Sequence, residues 1–175
     1  NKTNGVTPRR WLAMCNPDLG QLLNETIGQD WVRDLNQLER IAPLAEDPAF
    51  RERFSAINRA NKENLARLVA RDCHVDFDPA ALFDVQVKRI HEYKRQLLNL
   101  LHVIHLYNRI KHGDTAPWTP RCVLIGGKAA PGYVMAKLII KLINNVAQVV
   151  NGDKDTQGLL RLAFIPDYRV SVMEV

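Results

Sequence analysis

The chain contains 175 residues, of which 46% are hydrophobic and 25% are charged, and its formal net charge is +5. This length and hydrophobic content are sufficient for one sizeable core, and the composition excludes an intrinsically disordered chain. Polar side chains interrupt the apolar stretches well before the roughly 18 residues that a membrane span requires, so we expect no transmembrane helix.

The first 80 residues are predicted to form a loop and then a helical segment. Between residues 17 and 44, apolar side chains recur at helical spacing, and Gly28 is expected to divide this stretch into two short helices. Asp47 supplies an N-cap and Pro48 a proline in the first helical turn. A further helix is therefore predicted to run to about Arg71.

The rest of the chain alternates between strand and helix patterns. The β-rich runs are at residues 82–87, 122–125 and 160–165, and helical patterns separate them at 91–111 and 131–150. This alternation is typical of a parallel sheet with crossover helices. We predict an α/β fold with a partial Rossmann-like parallel sheet of three or more strands, flanking helices and a preceding helical segment. Residues 1–80 and 81–175 are expected to be subregions of one structural unit.

Four cations follow the first predicted strand, namely Lys88, Arg89, Lys94 and Arg95. In open parallel sheets, ligands bind beyond the carboxyl ends of the strands, where helix N-termini attract anions. Lys94 and Arg95 fall in the first predicted turns of a helix, where each positive charge is unfavourable by about 0.3–1 kcal/mol. A bound phosphate would reverse this sign. The alternative is a solvated surface whose cations pair with carboxylates such as Glu92.

Residues 126–133 (GGKAAPGY) occupy the equivalent position after the second strand. Their glycines permit a close backbone approach, but the segment is neither a Walker A loop nor a GxGxxG motif. A tight turn without a ligand is the alternative. His102 and His105 share one predicted helix without an HExxH motif or a carboxylate partner, so no metal site is expected.

The chain has three cysteines at widely spaced positions, Cys15, Cys73 and Cys122. Their odd number and the absence of a CxxC pair argue against a disulfide framework and against a zinc site. A reducing cytosol is the compartment that fits this pattern best.

Four segments form long and specific strings. They are residues 3–11 (TNGVTPRRW), 83–96 (FDVQVKRIHEYKRQ), 125–133 (IGGKAAPGY) and 168–171 (YRVS). In this order they closely resemble the glycogen and maltodextrin phosphorylases, the α-glucan phosphorylase family, and the resemblance covers the whole chain. It favours a phosphate ligand for the cations after the first strand.

The resemblance implies a pyridoxal 5'-phosphate-dependent glycosyltransferase of the cytoplasm, homodimeric when complete. Such enzymes cleave terminal α-1,4-linked glucose from a glucan with inorganic phosphate and release glucose 1-phosphate with retained configuration. The coenzyme ring is anchored as a Schiff base in this family, and its 5'-phosphate acts beside the substrate phosphate as a proton relay. No nucleic acid and no membrane is expected as a partner.

The family's site residues transfer to matching positions in this sequence. Arg89 and Lys94 match the ligands of the substrate phosphate, and Lys88 matches a contact to the coenzyme phosphate. Asn4 matches the residue that binds the glucose 6-hydroxyl. Tyr133 matches an aromatic residue that stacks flat inhibitors at the site entrance. The residues that match the lining of the coenzyme ring are Trp11, Tyr168 and Arg169.

The family's coenzyme lysine lies in a glycine-rich segment beyond the match to Tyr168, and these 175 residues do not contain that segment. The family's N-terminal domain, with much of the glucan site, is likewise absent from them. We therefore expect these residues alone to be inactive and not to bind the coenzyme covalently.

Two other classes stay open at this stage. A nucleotide-sugar glycosyltransferase would share a two-Rossmann-domain architecture and would bind UDP- or ADP-glucose without responding to phosphate. A basic nucleic-acid-binding module would be supported only by the cluster from Lys88 to Arg95 and by the net charge, since no nucleic-acid motif is present.

Overall fold

The computed structural model describes residues 9–114, 117–167 and 169–174. The described residues form two compact units, one within residues 1–62 together with Glu174 and one within residues 63–173. The division into subregions at residue 80 stays a prediction.

The first unit is helical, as predicted. A short π-helix, Arg10–Met14, precedes α1 (Pro17–Ile27), which ends at Gly28 with φ 84°. The side chain of Asn16 caps α1 by accepting a hydrogen bond from the Leu19 N–H at 3.3 Å. Trp31 is buried against Leu23 and Ile27, and its indole N–H donates to Asn24 Oδ1 at 2.9 Å.

The stretch after Gly28 differs from the prediction in helix type. Its residues form 3-10 helices, Asp30–Val32 and Leu35–Glu46, where the periodicity predicted a second α-helix. Pro43 lies inside the longer one and supplies no N–H, which disfavours a regular α-helix there. The α-helix α2 (Pro48–Cys73) then begins at the predicted proline.

The second unit contains a three-stranded sheet flanked by helices. Its elements after α2 are β1 (Leu82–Val87), α3 (Gln96–Lys111), β2 (Arg121–Gly127), α4 (Val134–Gly152), β3 (Leu160–Pro166) and the short α5 (Val170–Met173). The strands are parallel and lie in the order β1-β2-β3. Val87 pairs with Gly126 and Gly127 with Pro166, so the carboxyl ends of all three strands meet at one edge. The predicted α/β class and parallel sheet are confirmed.

Strands β2 and β3 are covered on both faces, and their alternate residues point in opposite directions. One set packs with α3 and α4, and it comprises Val123, Ile125, Leu160 and Leu162. The other set packs with Leu68 and Val69 near the end of α2, and it comprises Cys122, Leu124, Ala163 and Ile165. Burial on both faces explains why the central strand reads as a nearly continuous apolar run.

The predicted start of α3 at about residue 91 is wrong. Residues Glu92–Lys94 form a 3-10 turn, and Arg95 has a left-handed conformation with φ 61°, so the α-helix begins at Gln96. The left-handed residue breaks the helical hydrogen-bond pattern. Arg95 is therefore the N-cap residue of α3 and Lys94 precedes it, so both cations still lie at the positive end of the helix dipole.

The outer edge of β3 is protected by a side-chain amide. Asn151 Nδ2 donates to Leu162 O at 2.7 Å, and Asn151 Oδ1 accepts from Leu162 N at 3.1 Å. Cys73 Sγ contacts Phe164 O at 3.4 Å. Within the described ranges, no further strand pairs with this edge. Such side-chain contacts satisfy edge groups that would otherwise be open to pairing.

Helix α4 is long and apolar enough to cross a membrane by length and composition, with a mean hydropathy of 1.2. Core helices of soluble proteins meet the same criterion, so this feature is weak support for a membrane span. Here Ala136, Ile139 and Ile143 of α4 belong to the core cluster against the sheet. The residues Lys137 and Lys141 lie in the same helix.

A polar cluster ties the end of α3 to the turn after α4. Asp153 Oδ2 accepts hydrogen bonds from Tyr107 at 2.8 Å and from the Lys111 ammonium at 2.9 Å. The hydrogen bond from Lys111 is the main cause that lowers the pKa of Asp153 from 3.8 to about 2. A carboxyl group whose folded pKa is lowered stabilises the protein above its unfolded pKa and loses this contribution as pH falls.

Acid is therefore expected to weaken the second unit as Asp153 becomes protonated. The urea midpoint of the chain should fall as pH decreases from 3.8 towards about 2, and Asp153→Asn should reduce that fall. Glu52→Gln, at an exposed position of α2, is the control and should leave the acid dependence unchanged. Equal acid dependence in Asp153→Asn and the unsubstituted chain would contradict this role.

Candidate anion-binding site

The loop of residues 88–95 follows β1 at the carboxyl edge of the sheet. Lys88 N donates to Gly126 O at 3.0 Å, and Ile90 N donates to Lys128 O at 3.2 Å. The Ile90 side chain is 2% exposed and belongs to the core cluster. The loop is thus held by main-chain hydrogen bonds and by one buried anchor, and the segment after β2 runs beside it.

Gly127 allows the two segments to approach this closely. A Cβ atom at position 127 would lie 2.5 Å from Lys88 O and 2.7 Å from Ile90 Cδ1, which are distances that real Cβ atoms do not tolerate. Gly127, at the end of β2, therefore has a packing role in positioning the cation-bearing loop. The close backbone approach predicted for this segment is confirmed, and its partner is the loop of residues 88–95.

Side-chain amides contact the main chain of the loop at two points. Gln96 is fully buried, its Nε2 donates to Arg89 O at 3.2 Å, and its Oε1 accepts from His91 N at 3.3 Å. Gln86 Nε2 donates to Lys94 O at 3.0 Å. Asn99 Nδ2 in turn donates to Gln86 Oε1 at 3.0 Å.

The three cations that the family resemblance assigns to phosphates all lie on this loop. Lys88 and Arg89 are exposed, and Lys94 is half-buried. Lys94 Nζ lies 5.8 Å from the centroid of the Tyr93 ring. In the part of the chain that the structure describes, no carboxylate forms an ion pair with Lys88, Arg89 or Lys94.

On a carboxylate-paired surface, Glu92 would pair with a cation of the loop, whereas its partner here is Tyr133. Its carboxylate accepts a hydrogen bond from the Tyr133 hydroxyl at 2.5 Å, and its N–H donates to the same oxygen at 3.4 Å. This hydrogen bond to Glu92 raises the pKa of Tyr133. The His91 ring lies between Tyr93 and Tyr133, with centroid distances of 4.2 and 5.0 Å. These contacts tie the loop after β1 to the start of α4.

The segment after β3 brings a further cation to the same edge. Asp167 has φ 57° and pairs with Arg169 at 3.2 Å and with Lys128 at 3.7 Å. The Arg169 side chain is 63% exposed. Arg169 is therefore accessible, but its guanidinium already contacts one carboxylate.

The remaining predicted site residues do not all fall within the described ranges. Trp11 lies in the π-helix of the first unit and is half-buried. Asn4 and Tyr168 lie outside the described residues. Among the predicted site residues, Lys88, Arg89 and Lys94 share the loop of residues 88–95.

Three amides of the site, Gln86, Gln96 and Asn99, were not predicted from the sequence. A signal for one of them was present, because Gln96 shares a helical stripe with Leu100 and Val103, which are fully buried. A polar residue at such a spacing is expected to be buried and hydrogen-bonded. The partners of these amides are loop atoms that periodicity does not locate.

A parallel sheet with a cation-bearing loop at the carboxyl ends of its strands defines an α/β domain with a candidate anion site. The sequence model of one family, Phosphorylase (carbohydrate phosphorylase), matches residues 1–175. The chain belongs to the carbohydrate phosphorylase family.

Curated relatives agree with this assignment. The chain is 53% identical to the liver form of glycogen phosphorylase from Bos taurus over 99% of its length. It is 53% identical to glycogen phosphorylase from Chlamydia trachomatis and 51% identical to the human muscle form, each over 99% of the chain. The matched region covers 20% or 21% of these relatives, so the chain spans about a fifth of their length.

Proposed function

We propose that this chain is part of an α-glucan phosphorylase, a glycosyltransferase that cleaves terminal α-1,4-linked glucose with inorganic phosphate. Its product would be glucose 1-phosphate with retained configuration. The observation that carries the proposal is the loop after β1, where Lys88, Arg89 and Lys94 have no carboxylate partner among the described residues. Family membership and the relatives' names support the same activity.

Arg89 and Lys94 are proposed to bind the substrate phosphate. The guanidinium of Arg89 offers a planar pair of donors to two phosphate oxygens, and the ammonium of Lys94 adds a compact charge. Cations are needed because the substrate phosphate and the coenzyme phosphate carry like charges. Such charges repel strongly at close range in a site of low dielectric constant. Fixed positive groups would also stabilise the charge that develops during transfer of the glucosyl group.

Pyridoxal 5'-phosphate is the proposed coenzyme, and the donors of the described residues suit its phosphate group. Lys88 directly precedes Arg89 and is exposed, so its ammonium suits the coenzyme phosphate. The proposed ring-lining residues are Trp11, Tyr168 and Arg169, and Asn4 is proposed to bind the glucose 6-hydroxyl. When bound, the coenzyme would supply a phosphate that relays a proton beside the substrate phosphate.

The complete enzyme is proposed to be a cytoplasmic homodimer that acts on inorganic phosphate and an α-1,4-glucan. These 175 residues alone are proposed to be inactive, since they contain neither the family's coenzyme lysine nor its N-terminal domain. The chain's span of about a fifth of its relatives supports this expectation.

The direct test is phosphorolysis by the complete protein that contains these residues. Incubation with maltodextrin, inorganic phosphate and pyridoxal 5'-phosphate is expected to release glucose 1-phosphate, and the 175 residues alone are expected to release none. Binding of UDP- or ADP-glucose with no response to phosphate would support a nucleotide-sugar transferase instead. Salt-dependent binding to mixed DNA or RNA, without phosphorolysis, would support the nucleic-acid alternative.

A further inference from the structure

Side-chain amides contact the main chain at both cations that are proposed to bind the substrate phosphate. Gln96 donates to the carbonyl oxygen of Arg89 at 3.2 Å, and Gln86 donates to the carbonyl oxygen of Lys94 at 3.0 Å. The side-chain oxygen of each glutamine also accepts a hydrogen bond. Gln96 accepts from His91 N at 3.3 Å, and Gln86 accepts from Asn99 at 3.0 Å.

The core does not require an amide at position 96. Gln96 is fully buried at the start of α3, one turn before Leu100, and an aliphatic side chain would suit the same stripe. Both polar ends of Gln96 instead contact the loop, on the two sides of the buried anchor Ile90. A buried amide of this kind holds its partners in one arrangement because unmade hydrogen bonds are costly there.

Main-chain hydrogen bonds from Lys88 and Ile90, and the contact of Glu92 with Tyr133, also hold the loop. Residues 88–91 have no regular secondary structure, and Arg95 has φ 61°. The peptide groups that follow Arg89 and Lys94 are bound through their N–H groups, since Ile90 N donates to Lys128 O at 3.2 Å and Arg95 N donates to Glu92 O at 3.0 Å. A phosphate-binding site requires its ligands to be held within about 0.5 Å of the productive geometry. The amides of Gln96 and Gln86 bind the carbonyl oxygens of the same two peptide groups and so add to their orientation.

We propose that Gln86 and Gln96 are positioning residues that hold the phosphate-binding cations Lys94 and Arg89 in place, and that Asn99 holds Gln86 in place. They would act through the main chain of Lys94 and Arg89 and would not touch the substrate. This inference rests on the proposed function, because it assumes that these two cations bind phosphate.

The test compares Gln96→Met and Gln86→Met in the complete enzyme. Each change keeps side-chain length but removes both hydrogen bonds, and each is expected to raise KM for phosphate about tenfold or more, since small displacements of reacting groups are costly. KM for maltodextrin is expected to change by less than about twofold, because the amides contact the proposed phosphate-binding loop and no residue that is proposed to bind glucose. A simple loss of folded enzyme would move neither KM. Asn99→Leu removes only the brace and should raise KM for phosphate less than Gln86→Met.

Asn151→Leu is a matched control. Asn151 also uses both ends of its amide on the main chain, but it contacts Leu162 at the edge of β3. It is expected to lower the thermal midpoint without changing KM for phosphate. If Gln96→Met does not fold, Gln96→Glu keeps the acceptor for His91 N and loses the donor to Arg89 O, and its KM for phosphate is also expected to rise.

The outcomes separate the two proposals. Absence of glucose 1-phosphate with the unsubstituted enzyme would reject the proposed function itself. An active enzyme whose Gln86 and Gln96 variants lose stability but keep the original KM for phosphate would overturn only the positioning role. Equal increases in KM for phosphate and for maltodextrin would overturn it as well.

Discussion

Replacing Arg89 with alanine in the complete enzyme is expected to lower kcat/KM for phosphate by about 10²–10³-fold, the usual effect of losing one donor to developing charge. The guanidinium lies on the loop after β1 and has no carboxylate partner among the described residues, so it is available to an anion. Its removal would leave the phosphate charge less neutralised in the site where substrate and coenzyme phosphates are proposed to approach each other. Initial rates of glucose 1-phosphate release at varied phosphate concentrations measure this effect.

Two further variants test whether the loss of activity is specific to the guanidinium of Arg89. Arg89→Lys keeps the charge but not the planar pair of donors, so its activity should lie between those of the alanine variant and the unsubstituted enzyme. Arg95→Asn removes a neighbouring cation, and asparagine tolerates the left-handed conformation at this position with φ 61°. Its kcat/KM should stay within about threefold of the unsubstituted value. Turnover of Arg89→Ala within a few-fold of normal would contradict the assigned role.

Gly127→Ala is expected to lower the free energy of unfolding by about 1–3 kcal/mol, as is usual when an atom is forced into a packed site. The added Cβ would lie 2.5 Å from Lys88 O and 2.7 Å from Ile90 Cδ1. The first of these atoms belongs to the main chain, so relief requires the loop of residues 88–95 to move. Urea unfolding of the chain, followed by circular dichroism, measures the change.

The control for this variant is another glycine in the same segment. A Cβ added at Gly132 would meet no atom within 4 Å, so Gly132→Ala should change the free energy of unfolding by less than about 0.5 kcal/mol. In the complete enzyme, Gly127→Ala should also raise KM for phosphate, since Lys88 and Arg89 move with the displaced loop. Equal stability of the two alanine variants would show that the close contact at Gly127 is unimportant.

Strands β2 and β3 were well predicted because both of their faces are covered. Coverage on both faces makes β2 and β3 nearly continuous apolar runs, and such runs are visible without knowledge of their neighbours. The predicted and observed bounds of β1 agree at residues 82–87. The helix after it was placed five residues too early, because His91 to Arg95 continue a helical pattern that the left-handed Arg95 interrupts.

The class of fold, the family and the segment that carries the cations could all be read from the amino-acid sequence, since they depend on local periodicity and on specific strings of residues. The partners of that segment became known from the folded structure. Glu92 contacts Tyr133, which lies 41 positions away, and Gly127 is required by the main chain of Lys88. Contacts of this kind join residues that are distant in the chain, and a local pattern does not encode which distant atom fills a given space.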